Sequence, residues 1–298
     1  MKKILSWALV ALLMLGLFAG CAPAKQEPPA PAPVVEPEKP AEELVVVEVE
    51  PAPAPDPVEL VVFAAASMQE AMEEIATLYK AVAPNVTLVY NFESSGTLKT
   101  QIEQGAQCDI FISAGQKQMN ELDIKADPAV NTAALDFVLE GSRFNIVSNK
   151  VVMIVPEGST AGISDFADVT TDKVSLIALG NADVPVGQYS VEVYTTLGLW
   201  EEIEKSGKVS FGSNVKEVLV QVENASVDCG IVYSTDAATA TGVTVVAEAP
   251  AGSHKPITYP AAILNITEQQ EAAEAFIAYL KDAEATAVLE SIGFAPPQ

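Results

Sequence analysis

The chain has 298 residues, of which 49% are apolar and 19% are charged, so it is long enough to fold around one large or two medium hydrophobic cores. Its 40 acidic and 16 basic side chains give a net charge of −24, which excludes a nucleic-acid-binding surface built on clustered lysine and arginine. A single histidine, His254, excludes a site made of several imidazoles. Three cysteines are too few for a disulfide-rich scaffold or a four-cysteine zinc site.

The first 57 residues differ in composition from the rest. Residues 1–20 begin with a short basic stretch, continue as an apolar run and end in Ala-Gly, which predicts a signal peptide. The cysteine that follows, Cys21, resembles the lipidated cysteine of bacterial lipoprotein signals; the alternative is ordinary cleavage, which would leave it a free thiol. Residues 21–57 are rich in proline, alanine and glutamate and predict an extended linker.

Strands and helices alternate from Val58 onward. Apolar runs predict strands at 59–64, 86–92, 109–113, 151–155, 176–179 and 230–233. Apolar residues at helical spacing follow most of these runs, and two closing helices are predicted at 272–280 and 285–292. Continuous apolar strands that alternate with amphipathic helices indicate an α/β fold with parallel sheets.

Two strand-to-helix turns carry serine. In open α/β sheets ligands bind beyond the carboxyl ends of the strands, where helix N-termini offer unpaired N–H groups and a partial positive charge. Ser67 follows the first strand and Ser95 the second, and each can offer a hydroxyl and a backbone N–H to an oxygen of an anion. The alternative is that both serines only cap helices, and their positions alone do not decide between the two roles.

Six segments stand at turns and strand ends along the globular part. They are Phe63–Ser67, Ser94–Leu98, Asp109–Ala114, Val184–Tyr189, Gly230–Ala237 and Tyr259–Ala261. Each is weakly specific alone, but their ordered series, from about Leu60 to Phe294, resembles the molybdate-binding proteins of ABC importers. The resemblance implies a two-lobed periplasmic-binding-protein fold of type II. Each lobe would be a mostly parallel sheet flanked by helices, with the ligand in the cleft between the lobes.

The resemblance also implies the limits of the lobes and the residues of the site. The first lobe would comprise 58–147 and 248–298, and the second lobe 148–247. The family binds a tetrahedral oxyanion through neutral donors, without a metal-coordinating side chain. The carried-over donors are the hydroxyl and backbone N–H groups of Ser67 and Ser95, the backbone N–H groups of Val186 and Val215, and the hydroxyl of Tyr233.

The function that the resemblance implies is capture of molybdate, and also tungstate, outside the cell and delivery to an ABC permease. We expect a lipid-anchored monomer with no enzymatic activity, no cofactor and no nucleic-acid partner. A binding protein for sulfate or another small oxyanion is the nearer alternative. A serine hydrolase using Ser67 or Ser95 is a remote one, because His254 is the single imidazole and no Gly-x-Ser-x-Gly motif is present.

Two residues depart from the family pattern. Glu93 stands where the family more often has a small residue; since a carboxylate near a bound dianion would weaken binding, we expect its side chain to point to solvent. Val186 stands where the family usually has alanine, which a contact through the backbone tolerates if the side chain points away. Cys108 and Cys229 are predicted to be buried free thiols.

Overall fold

The computed structural model describes residues 55–297, which form two five-stranded sheets with helices packed against them. The predicted signal peptide, the lipidation site Cys21 and all but the last three residues of the predicted linker lie outside the described part. None of the described helices is long and apolar enough to cross a membrane.

The first sheet has the strand order β2-β1-β3-β10-β4, numbered along the chain. Its strands are β1 (Val58–Ala65), β2 (Val86–Glu93), β3 (Ile110–Ile112), β4 (Phe144–Asn149) and β10 (Ile257–Ile263). Its helices are α1 (Gln69–Val82), α2 (Ser95–Glu103), α3 (Gln116–Leu122), α8 (Gln270–Tyr279) and α9 (Ala283–Ile292). Strand β1 is parallel to β2 and β3, whereas β10 is antiparallel to both of its neighbours.

The second sheet has the same arrangement, with the strand order β7-β6-β8-β5-β9. Its strands are β5 (Val151–Pro156), β6 (Ile177–Gly180), β7 (Val209–Gly212), β8 (Cys229–Tyr233) and β9 (Val243–Glu248). Its helices are α4 (Pro185–Thr196), α5 (Trp200–Ser206), α6 (Val215–Glu223) and α7 (Ser234–Thr239). Here β5 is the strand that runs antiparallel to both neighbours.

The α/β prediction is confirmed, and each of the six predicted strands is present. Each sheet is mixed, with one reversed strand among five, which agrees with the mostly parallel sheet expected for each lobe. Each reversed strand is the first strand after a crossing between the sheets. Cys108 and Cys229 are buried free thiols, as predicted, and burial raises the pKa of Cys229 to about 12.

The chain crosses between the sheets twice. It leaves the first sheet at Lys150, between β4 and β5, and returns within residues 249–256, between β9 and β10. When residues are assigned to lobes by their sheet, residues 148 and 149 belong to the first lobe and residue 248 to the second. The predicted boundary at 147/148 therefore lies two residues too early, and the one at 247/248 lies one residue too early. Ser148 and Asn149 pair with Thr258 and Ile257 of β10 in the first sheet, so β4 extends to Asn149.

Candidate functional site

The structure brings all five predicted site residues to one small cavity between the two sheets. Ser67 and Ser95 approach it from the first sheet, and Val186, Val215 and Tyr233 approach it from the second. The cavity has a volume of about 10 Å³, and none of the described residues that line it is lysine, arginine or histidine. The arrangement therefore offers hydroxyl and amide groups, without cationic side chains, to whatever occupies the cavity.

Neither predicted serine caps a helix. Ser67 lies in a short 3₁₀ turn, Ala66–Met68, and α1 begins after Met68 without a side-chain cap. Ser94 is the N-cap of α2, where its side chain accepts the N–H of Thr97 at 3.1 Å. Ser95 is therefore the first residue inside the helix. The alternative in which both serines serve only as caps is wrong.

Both serine hydroxyls are buried and already partly bonded. The Ser95 Oγ accepts the backbone N–H of Ala114 at 2.9 Å, and the Ser67 Oγ lies 2.9 Å from the hydroxyl oxygen of Tyr259. Because a backbone N–H can only donate, the Ser95 hydroxyl keeps its own proton for another acceptor. This proton is available on the side of the cavity that Ser95 lines.

The second sheet contributes two helix N-termini and a tyrosine. Val186 is the second residue of α4 and Val215 the first of α6, so their N–H groups have no acceptor within the helix. The side chains of both valines lie in the hydrophobic core, so the larger side chain at position 186 packs among apolar neighbours. Tyr233 ends β8, and its hydroxyl donates to the carbonyl of Ala114 at 3.4 Å. Burial raises the pKa of Tyr233 far above its usual range, which keeps the hydroxyl protonated.

Glu93 does not point to solvent, and that expectation was wrong. Its half-buried side chain lines the cavity, and its Oε2 accepts from the Nδ2 of Asn214 at 3.0 Å and from the N–H of Ser94 at 3.3 Å. The cause is that Glu93 ends β2 opposite the residue that caps α6. Its negative charge therefore faces neutral N–H donors from both sides of the cleft.

The sides of the cavity are held together by further contacts that the sequence did not suggest. The N–H of Gly96 donates to the carbonyl of Asp183 at 3.1 Å, and the Lys216 ammonium lies 2.7 and 2.9 Å from the two carboxylate oxygens of Glu70. The cleft is closed in this structure. Each charged residue is close in sequence to a site residue: Glu70 lies three positions after Ser67, and Lys216 directly follows Val215. A further charged residue, Asp236, lies three positions after Tyr233. Charged side chains therefore join the three turns that carry these site residues.

Asp236 is an unusual member of this charged group. It is fully buried, and the Lys216 ammonium approaches its Oδ1 at 3.1 Å as an ion pair outside hydrogen-bond geometry. Burial raises the pKa of Asp236 to about 6, although the charge of Lys216 opposes the shift. Burial alone would lower the pKa of Lys216, but the charges of Asp236 and Glu70 raise it, so the ammonium stays protonated.

The chain is similar to several known proteins. Residues 60–295 match the family model described as bacterial extracellular solute-binding protein. A Haemophilus influenzae protein named molybdate-binding protein ModA is 36% identical over 79% of this chain and 89% of its own length. YvgL of Bacillus subtilis, provisionally described as an ABC transporter substrate-binding lipoprotein, is 36% identical over 80% of this chain and 86% of its own. The periplasmic molybdate-binding protein of Azotobacter vinelandii superposes with a TM-score of 0.68 at 26% identity, covering 80% of this chain and all of that one.

Proposed function

Since the chain belongs to the family of bacterial extracellular solute-binding proteins, we propose that it binds molybdate, and also tungstate, and delivers the ion to the permease of an ABC importer. The observation that carries the proposal is the cavity itself, which residues from both sides line with hydroxyl and N–H groups and without a cationic side chain. The names of its relatives support the choice of ion. The protein needs no cofactor for this role, and the oxyanion is cargo rather than a resident group.

The donor set suits a fully deprotonated oxyanion. Hydrogen bonds to a charged group contribute roughly 1.5–3 kcal/mol each, so several converging donors offset the cost of ordering and closure. Backbone N–H groups cannot accept a proton, so an oxyanion that carries an O–H, such as hydrogen phosphate, has no partner for that group at Val186 or Val215. Glu93 offers a carboxylate, but its Oε2 is already bonded to Asn214 and Ser94.

The geometry supports binding without catalysis. A serine nucleophile needs a base within hydrogen-bond reach. The Oγ of Ser67 pairs with Tyr259 and the Oγ of Ser95 with a backbone N–H, whereas the His254 Nδ1 lies 2.7 Å from the carbonyl of Lys255. Absence of chromogenic ester hydrolysis by the full chain is the expected result.

Calorimetric titration of the full chain with molybdate, tungstate, sulfate and phosphate tests the proposal. We expect tight binding of the first two ions, weak binding of sulfate and none of phosphate. The combined variant Ser67→Ala/Ser95→Ala should abolish binding, while Ser291→Ala, which removes a hydroxyl on α9 that bonds only a carbonyl of its own helix, should not. Equal affinity of the combined variant and the wild type would remove the proposed site, and a preference for sulfate would establish the alternative.

We also propose that Cys21 carries a lipid that anchors the protein, as a monomer, to the outer face of the cell membrane. Buried acyl chains contribute about 0.8 kcal/mol per methylene to membrane attachment. Labelled palmitate should enter the wild type and the matched variants Cys108→Ser and Cys229→Ser, but not Cys21→Ser. Label that persists in Cys21→Ser would refute the anchor.

A further inference from the structure

A chain of hydrogen bonds leads from the crossing between the two sheets to the cavity. It joins Asn149, the last residue of β4, to the hydroxyl of Tyr259 on β10 and then to the Ser67 Oγ. Asn149 and Tyr259 are buried, and neither lines the cavity. We refer to these three residues as the relay.

The neighbours of Asn149 fix the orientation of its amide. Its Oδ1 faces the backbone N–H of Lys150 at 2.8 Å, and an N–H group can only donate. The hydroxyl of Ser234 donates to the same oxygen at 2.9 Å. The Nδ2 group must therefore face the other two neighbours, the hydroxyl oxygens of Thr235 at 2.9 Å and Tyr259 at 3.2 Å.

The amide orientation then determines the direction of the other two bonds. Because the Tyr259 oxygen accepts from Asn149, its own proton points to Ser67, the other partner it has among the described residues. If Ser67 donated to Tyr259 instead, the buried Tyr259 proton would have no acceptor, which is an unfavourable state. The Ser67 Oγ thus accepts, and its own proton is left for the cavity.

We propose that Asn149 and Tyr259 are positioning residues that force the Ser67 hydroxyl to act as a donor toward the bound oxyanion. This inference rests on the proposed function of the cavity. Its consequence is selectivity, since a hydroxyl with a fixed proton cannot turn to accept from a protonated ligand. Asn149 contacts α7 through Ser234 and Thr235, so the relay is anchored where the two sheets meet.

Reversing the relay tests its direction. In Asn149→Asp, the introduced carboxylate accepts from Tyr259, which turns the Tyr259 proton away from Ser67 and draws the Ser67 proton out of the cavity. We expect molybdate affinity at pH 8 to fall by about 10-fold or more, the size expected for one lost hydrogen bond to a charged ligand. In Tyr259→Phe the Ser67 hydroxyl is unconstrained and still donates, so affinity should fall by less than about 5-fold on the same scale.

The double variant Asn149→Asp/Tyr259→Phe separates the relay from simple charge repulsion. It keeps the introduced negative charge but has no tyrosine hydroxyl to transmit the reversal, so its affinity should return to that of Tyr259→Phe. Asn145→Asp is the matched control, because it adds the same charge at an exposed position on β4. Ligand-free thermal unfolding checks that each variant folds. A double variant as weak as Asn149→Asp would overturn the relay.

A measurement without ligand keeps the relay distinct from the proposed function. Neutron diffraction of the deuterated, ligand-free protein should place the deuterium between Tyr259 and Ser67 on the tyrosine oxygen. A deuterium bonded to the Ser67 Oγ and directed at Tyr259 would overturn the relay whatever the cavity binds. The opposite combination is a deuterium on Tyr259 in a wild type that binds none of the four oxyanions. That combination would support the direction of the relay but overturn the proposed function, and with it the role of Ser67 as a donor to a ligand.

Discussion

Closure of the cleft depends on the absence of a side chain at Gly96. Gly96 is the second residue of α2, and its N–H donates across the cleft to the carbonyl of Asp183 at 3.1 Å. A Cβ at this position would lie 2.3 Å from that carbonyl oxygen and 2.8 Å from the Asp183 Cβ, closer than real Cβ contacts allow. Gly96→Ala should therefore hold the two sides apart by several tenths of an ångström.

This separation should lower the affinity for the ligand rather than the stability of the ligand-free protein. Donors from the second sheet, such as the N–H groups of Val186 and Val215, would no longer reach an oxyanion held by the serines. Loss of one such bond costs about 1.5–3 kcal/mol, which corresponds to a rise in Kd of roughly 10- to 150-fold. In the ligand-free, open protein the same change should raise stability slightly, because alanine is favoured over glycine in a helix by about 1 kcal/mol.

Isothermal titration with molybdate and ligand-free thermal unfolding measure the two effects separately. Gly115→Ala is the matched control, because a Cβ there would meet its nearest neighbours, on Gln118, Pro185 and Tyr189, at 3.4–3.5 Å, an ordinary contact distance. Although Gly115 is buried, no neighbour has to move to admit this Cβ, so the variant should bind within about 2-fold of wild type, a difference of about 0.4 kcal/mol. Wild-type affinity in Gly96→Ala would refute the closed contact, and a loss of ligand-free stability would show that the contact belongs to the fold.

Three further substitutions test the charged groups around the cavity. Glu70→Gln removes the cross-cleft ion pair between the partly exposed Glu70 and Lys216 but keeps Lys216 beside Asp236. The pair is worth up to about 1 kcal/mol, so the molybdate dissociation rate in stopped flow should rise by roughly 5-fold; a change in the association rate alone would contradict a role in holding the cleft closed. Glu93→Gln keeps an acceptor for Asn214 but removes a charge beside a dianion, so affinity should rise; weaker binding would show that the charge is needed. The folded-state pKa of Asp236 is raised from 3.8 to about 6, so its contribution to stability is present at low pH and is lost as pH rises from about 4 to 6. Asp236→Asn should therefore flatten that part of the stability profile in urea unfolding, and an unchanged slope would contradict the shift.

The sequence predicts the strands that are apolar runs and misses β4, β7, β9 and β10. Strands β1, β5 and β8 are continuous apolar runs, whereas β9 at the edge of the second sheet is half-exposed and carries a mixed pattern. Strand β10 is fully buried but contains Pro260, which normally argues against a central strand. The structure accommodates it by a shift of register between Tyr259 and Pro260.

The predicted site residues are brought together, but their local roles required the structure. Residue spacing does not show which of the two adjacent serines, Ser94 or Ser95, is the N-cap of α2. In the structure Ser94 has an extended backbone and is the N-cap, so the Ser95 hydroxyl is not used for capping. The bond between Asn214 and Glu93 joins residues 121 positions apart, so no local pattern reveals it. The direction of the Ser67 hydroxyl depends on Asn149, which is distant in sequence and has no signature of its own.

The charge of the protein gives a final test of how the cavity would hold an anion. The one ammonium near the site among the residues the structure describes, that of Lys216, lies between the carboxylates of Glu70 and Asp236 and has no net positive charge to offer. A strongly acidic chain repels a dianion at long range, and salt shortens that range from about 30 Å at 0.01 M to about 10 Å at 0.1 M. Molybdate affinity should therefore hold or improve as sodium chloride is raised over this interval in titrations. A marked loss of affinity with salt would mean that cationic side chains, rather than oriented hydroxyl and amide groups, bind the ion.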